Sequence, residues 1–174
     1  MTWSVRRLNH RDLDAYIAIR LEALRDHPEA YGTSAERFAA LPRGEVEAFL
    51  SRRAVFGIIA DGDNLAGIVV YDRDEGERAG HRGWLIQVYV KPELRGTGAA
   101  LAMMEAAVAH ARSEVIQLHL MVGTYNLPAI RLYEKAGFTI YGTEPRSLCV
   151  NGRYIDEHLM VRLLDEAPIE SDTK

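Results

Sequence analysis

The six residues Arg95-Gly96-Thr97-Gly98-Ala99-Ala100 are where this chain could hold an anion. They follow an extended apolar run that ends at Lys91-Pro92 and open a long alanine-rich segment, so a strand hands over to a helix there. The first turn of a helix has unpaired N–H groups and the positive end of the dipole. Glycines remove side chains and allow the positive φ that a curled nest of N–H groups needs. Arg95 adds a fixed charge with paired donors. Phosphate or pyrophosphate fits that combination. Two familiar phosphate loops do not fit. No Lys follows Gly98, as a P-loop requires. Counted from Gly96, the third small position of a dinucleotide fingerprint is Leu101, and the loop lies past mid-chain. A plain turn needing glycine only for geometry competes with the anion reading, and the loop alone does not separate them.

The elements that must position these residues follow from periodicity. Thr2 to Leu8 alternates weakly as a first strand. Asn9 with Asp12 reads as a helix start, and Leu13, Tyr16, Ile17, Ile19, Leu21 and Leu24 recur at helical spacing until His27-Pro28. "PEAYGTSAERF" reads as a loop or broken helix and "PRGEVEAFLSRR" as a second helix. Val55 to Ala60 and Leu65 to Tyr71 form a hairpin across "DGDN". After a polar loop come a strand over Trp84–Val90, a helix from Gly98 to about Ser113 and a strand over Val115–Val122. The helix buries Leu101, Met104, Ala107 and Val108. A helix over Leu127–Ala136 ends at Gly137, and strands over Phe138–Thr143 and Tyr154–Leu163 flank an Asn-Gly turn. The helical crossover between Trp84–Val90 and Val115–Val122 implies parallel pairing of those strands. The fold class is α/β (α+β), a mixed sheet with helices on both faces.

The bulk numbers are those of an ordinary globular chain. The 174 residues are 48% hydrophobic and 26% charged, with formal net charge −4. They fit one domain over 1–164 followed by a polar tail over 165–174. The acidic balance argues against a general nucleic-acid binder. No apolar run reaches membrane-spanning length, so no membrane partner is expected. A single cysteine, Cys149, suits a cytoplasmic location.

The stretch "VYVKPELRGTGAALAMMEAAVAHA" resembles the acyl-CoA binding signature of the GNAT N-acetyltransferase superfamily: a strand, Val-x-Pro, Arg/Gln-x-x-Gly-x-Gly/Ala, then a helix. Arg95, Gly98 and Ala100 fill its defined positions. "NLPAIRLYEKAGF" resembles the family's second helix through Asn126, Ala129, Tyr133, Gly137 and Phe138. The resemblance implies a mostly antiparallel, twisted sheet of about seven strands, with a parallel pair splayed at the cofactor cleft. It implies acetyl-CoA as co-substrate, with no metal. The pyrophosphate would sit on Arg95, Gly96, Thr97, Gly98, Ala99 and Ala100. The pantetheine arm would lie along Val88, Tyr89 and Val90 and meet Asn126. Tyr133, seven residues after Asn126 and on the same helical face, would protonate the leaving thiolate. Each also has an ordinary use, Asn126 as an N-cap and Tyr133 as a buried tyrosine bonded to a carbonyl. Many relatives place a Glu base on the strand before the loop, where this chain has Gln87. Glu22, His81, Glu144 and His158 are the base candidates left, unranked. Cys149 has nothing nearby in sequence to activate it as an acyl carrier. The acceptor amine is expected against Glu22, Tyr31, Glu144 and Tyr154, with a cationic amine slightly favoured. A homodimer through the final strands and Trp84 is a further expectation. Two other functions stay open: a catalytically silent acyl-CoA sensor or interaction module of the same fold, and a nucleotide binder unrelated to CoA.

Overall fold

The computed structural model describes residues 2–165, so the expected tail lies outside the described residues except for Asp165. Strand β1 (Trp3–Arg7) leads through a 3₁₀ turn at His10–Asp12 into helix α1 (Leu13–Asp26). The turn is closed as the sequence suggests: Asn9 Oδ1 accepts from the Arg11 N–H, and Asp12 Oδ2 accepts from the Asn9 N–H. The broken-helix stretch resolves into a 3₁₀ turn at Pro28–Ala30 and helix α2 (Ala35–Ala39), which Ser34 caps, followed by α3 (Arg43–Arg52). Three early helices are therefore present, not two.

Strands β2 (Ala54–Ala60) and β3 (Asn64–Arg73) form the hairpin, with Asp61 and Gly62 at positive φ in its turn. β4 (Arg82–Val90), a 3₁₀ turn at Pro92–Leu94, α4 (Ala99–Ala111) and β5 (Gln117–Gly123) make the crossover, and α5 (Leu127–Lys135) follows. β6 (Thr139–Val150) runs well beyond the expected Thr143 and pairs with β7 (Arg153–Leu163). The sheet order is β1-β2-β3-β4-β5-β7-β6, antiparallel except for β4 with β5. No helix among the described residues is long and apolar enough to cross a membrane.

β2 is buried along its whole length, because helices cover the sheet on both faces. On one face α4 and α5 bury Met103, Met104, Ala107, Val108 and Tyr133 against Ile58, Leu118 and Met160. Met103 is fully buried and Leu101 only partly, so the stripe of α4 is rotated from the expected one. On the other face α1, α2 and α3 cover Val55, Ile68, Val70 and Tyr89.

Two irregularities open the sheet. β4 and β5 pair only at Arg82↔Gln117, Gly83↔Leu118 and Trp84↔His119, and beyond that they diverge. β4 also bulges, since Ile68 pairs with Tyr89 and Val70 with Ile86, leaving Gln87 and Val88 opposite Val69 alone. Gln87 takes φ +56°, a left-handed backbone rare for a residue with a side chain.

Candidate functional site

The splay leaves the β5-facing edge of β4 without a strand partner from Leu85 onward. Two side chains take carbonyls on that segment. The Tyr31 hydroxyl donates to the Val88 carbonyl at 2.9 Å, and Arg95 Nε donates to the Val90 carbonyl at 3.1 Å. Tyr89 points to the α1 face, so its contribution to the cleft is backbone only.

The glycine loop sits at the open end of β4. Gly96 and Gly98 take φ +76° and +89°, and nothing lies within 4 Å of where a Cβ would stand on either. Gly98 caps α4 through its backbone alone, and Ala102 is the first residue of the helix with a helical partner, Gly98 O at 3.0 Å. The N–H groups of the first turn therefore face open space, apart from a long contact of 3.4 Å between Ala99 N–H and Thr97 Oγ1. Arg95 borders the loop, its Nη2 lying 3.3 Å from His27 Nε2. Thr97 donates to the Leu94 carbonyl at 2.7 Å, which fixes the loop from below.

Across the splay, Asn126 Oδ1 accepts from the Ala129 N–H at 3.3 Å, so the ordinary capping role is filled and the amide nitrogen is left over. Tyr133 is 6% exposed and its hydroxyl makes no hydrogen bond among the described residues. Burial, and then the neighbouring Tyr31, push its pKa well above the usual tyrosine value. It keeps its proton at any ordinary pH.

Tyr31 is the expected acceptor-side residue that the structure brings to the cleft. Burial pushes its hydroxyl up to about 12, against the opposing pull of Arg20 and Arg95. The other three sit elsewhere or are engaged. Glu22 accepts from the Tyr89 hydroxyl at 2.9 Å and lies 3.5 Å from Lys91 Nζ. Glu144 is exposed on the outer strand β6. Tyr154 is 61% exposed under Arg146, at the solvent side of the hairpin. Among the remaining base candidates, His81 precedes the closed end of β4, about 20 Å from Val88 at strand rise. His158 pairs with Val122 on the α4 face and bonds Thr143 Oγ1 at 2.8 Å. Gln87 is held by the Tyr16 hydroxyl, which donates to its Oε1 at 2.6 Å. Cys149 is exposed on β6. Trp84 donates to Asp74, just past the end of β3, at 3.1 Å and lies tilted against the His119 ring.

The comparisons with known proteins agree with this geometry. Residues 17–138 match the Acetyltransferase (GNAT) family. The chain belongs to the GNAT acetyltransferase family. It is 34% identical over 133 residues to a mycothiol acetyltransferase of Thermobispora bispora, covering 74% of this chain and 43% of that protein. The chain thus spans less than half of that relative. It is 26% identical over 158 residues to the L-amino acid N-acetyltransferase AaaT of Escherichia coli, covering 90% of this chain and 96% of that one. The yncA structure from Salmonella typhimurium, solved with its cofactor acetyl-CoA, superposes with a TM-score of 0.81 at 20% identity, over 95% of this chain and 96% of that one. The expected family, GNAT fold and acyltransferase class are all met.

Two buried charges of this GNAT chain escaped the sequence reading. Arg20 is 4% exposed and Glu157 8%. Arg20 occupies the buried stripe of α1, with Leu13, Tyr16, Ala23 and Leu24, while Ile17 and Leu21 of the apolar spacing are only partly buried. A charge four residues after Tyr16, on that stripe, was the available signal. Glu157 follows Ile155 on the same side of β7 and accepts from Ser147 Oγ at 2.6 Å. It faces Gly123 in register, and Gly123 lies beneath the Tyr125 ring. Alternation along β7 signals it only if the inward face is known.

Proposed function

We propose that the chain is an acetyl-CoA-dependent N-acetyltransferase that moves an acetyl group to a primary amine of a small molecule or peptide. The observation that carries this is the divergence of β4 from β5 after Trp84 and His119, which frees strand edge beside an open, glycine-lined helix N-terminus. Residues 95–100 would hold the pyrophosphate, and the edge at Val88–Val90 would take the pantetheine amides as an added strand. One domain, 1–164, carries both halves of the site.

The amine nitrogen attacks the thioester carbonyl carbon, and a backbone N–H of β4 stabilises the oxyanion that forms. The C–S bond then breaks, the new amide keeps the acetyl group, and Tyr133 gives its proton to the thiolate sulfur. The amine must also lose a proton. With Gln87 unable to take it, Glu157 is the carboxylate we assign, because it is buried on the face that Tyr31 and Tyr125 also border. Glu157→Gln should lower kcat/KM at least about a hundredfold with acetyl-CoA affinity unchanged. An active Glu157→Gln variant removes it from the mechanism.

The first test is thermal unfolding with acetyl-CoA, CoA and ATP in parallel. At roughly 100 times Kd, a ligand of the folded state adds about 2.7 kcal/mol. A shift with acetyl-CoA and none with ATP supports the reading; no shift with any ligand sinks it. Gln87 favours one alternative, a binding module without turnover. Release of free CoA thiol with an amine acceptor, lost in Tyr133→Phe, excludes that alternative. We place the enzyme in the cytoplasm, as its single cysteine suggests, and infer a homodimer through the outer hairpin, which exposes Ile140, Tyr141 and Tyr154. Sedimentation gives the stoichiometry directly.

A further inference from the structure

Arg20 is a buried cation without a counter-ion. It makes no side-chain hydrogen bond or ion pair among the described residues, and its Nε and Nη1 are sealed from solvent with no acceptor. Burial draws its pKa below the usual arginine value. Its one evident partner is the face of Tyr31, 4.4 Å from Cζ to the ring centroid. A π face offsets part of the lost hydration, but it satisfies no N–H. Buried guanidinium groups are otherwise paired with carboxylates, because the desolvation of an unpaired ion is a heavy penalty.

The position of this charge says what would pair with it. Tyr31 links Arg20 to the cleft, with its ring on one face of the guanidinium and its hydroxyl on the Val88 carbonyl, and Nη2 is not among the sealed atoms of the guanidinium. Tyr16, one turn before Arg20 on α1, places its own hydroxyl on Gln87, the other bulge residue. Arg20 is therefore one tyrosine ring away from the edge where the thioester would lie, on the α1 face of the sheet. Three acidic side chains on or beside α1 are engaged elsewhere, Glu22 with Tyr89 and Lys91, Asp14 with Arg43, and Asp12 with Arg6, and Asp26 is exposed at the C-terminal end of the helix and makes no ion pair with Arg20.

Resting on the acetyltransferase reading above, we propose that the acceptor carries a carboxylate close to its amine, and that Arg20 receives that carboxylate. The fork of the guanidinium suits a carboxylate, and an acceptor with both groups explains an uncompensated cation in a site that must also hold an amine. This replaces the slight preference for a purely cationic acceptor that the overall charge suggested.

The test uses the full chain saturated with CoA, so that nothing turns over. Calorimetry then compares common L-α-amino acids with their α-amides and with the corresponding decarboxylated amines. At least one amino acid should bind about tenfold or more tightly than both of its matched partners. In Arg20→Met the difference should vanish while acetyl-CoA affinity stays the same. Arg20→Met should also melt higher than the parent without ligand, since a buried unpaired ion is replaced by an apolar chain of similar length. Arg20→Lys, which keeps charge but loses the fork, should retain only part of the preference. Equal binding of acids and amides, no binding of any amino acid, a preference that survives Arg20→Met, or loss of acetyl-CoA affinity in that variant would each overturn the proposal. Failure of the parent to bind acetyl-CoA at all would instead sink the acetyltransferase reading, and the melting comparison would still judge Arg20.

Discussion

Gly98→Ala separates what the glycine loop does for folding from what it does for binding. Gly98 has φ +89° and ψ −12°, and an added Cβ would meet nothing within 4 Å. The substitution is therefore free of clash and carries only backbone strain, about 1–2 kcal/mol for a residue with a Cβ in the left-handed region. For a chain of this size each kcal/mol lowers Tm by roughly 2–4 °C, so the expected loss is about 2–8 °C. Gly62, in the turn between β2 and β3, is a matched control. Its φ is +90° and it too has open space around the missing Cβ. Gly62→Ala should lose the same few degrees. The two variants should part in acetyl-CoA affinity, measured by calorimetry. Gly98→Ala puts a methyl into the hollow where an anion would meet the first-turn N–H groups. Loss of one charge-assisted contact there is worth about 1.5–3 kcal/mol, or roughly 10–100-fold in Kd. Gly62→Ala should bind as the parent does. If Gly98→Ala loses stability and keeps full affinity, the loop is a structural turn and the anion reading is wrong.

The remaining predictions use the same logic of isolating one group. Tyr133→Phe should lower turnover on the order of a hundredfold or more, with Tm within about a degree, because the hydroxyl makes no hydrogen bond among the described residues. Asn126→Asp should keep stability, since Asp caps as well as Asn, yet weaken acetyl-CoA binding by removing the amide donor and adding negative charge; stability and affinity measured on one sample decide it. Stability should fall as pH rises from about 10 to 12. Burial pushes Tyr16 and Tyr31 up to about 12, while in the unfolded chain tyrosine ionises near 10. In that window the unfolded chain binds fewer protons than the native one, so each tyrosine costs on the order of 1 kcal/mol per pH unit, and the double Tyr16→Phe, Tyr31→Phe variant should show a flatter alkaline limb in urea titrations.

The sequence is most readable where structure rests on local geometry. The Arg95–Ala100 loop and the capped helix Leu127–Lys135 stand where residue type and spacing put them, because a helix N-terminus is built from consecutive residues. The bulge at Gln87 and Val88 carries no such local mark. It exists because β4 must stay paired with β3 through Val90 while parting from β5 after Trp84, a demand set by three strands at once. β6 runs past the expected Thr143 for a similar reason: a bulge between Glu144 and Leu148, with Arg146 at φ +54°, lets the strand continue against β7. Arg20 and Glu157 were passed over because a charged residue is usually solvated, and only the packing of α1 and β7 reveals that these two are not.

The bulge also accounts for Gln87 where many relatives are expected to carry a base. A left-handed backbone at a residue with a side chain persists only when its surroundings hold it there. Two tyrosines do this: Tyr16 holds the Gln87 side chain and Tyr31 holds the next carbonyl. Both come from the first 31 residues, and the guanidinium of Arg20 lies against one of their rings. A carboxylate at position 87 could accept the Tyr16 proton as well as an amide does, but it would bring a negative charge beside Arg20. That charge would pair with the guanidinium from within the chain and leave nothing for a ligand. An uncharged amide keeps the bulge in place and keeps Arg20 unpaired. Gln87→Glu should therefore act on both counts. It should raise the melting temperature of the free protein, as the buried cation gains a partner, and it should lower affinity for a carboxylate-bearing acceptor without restoring rate to a Glu157→Gln background. A Gln87→Glu variant that binds such acceptors as tightly as the parent would show that positions 20 and 87 do not communicate.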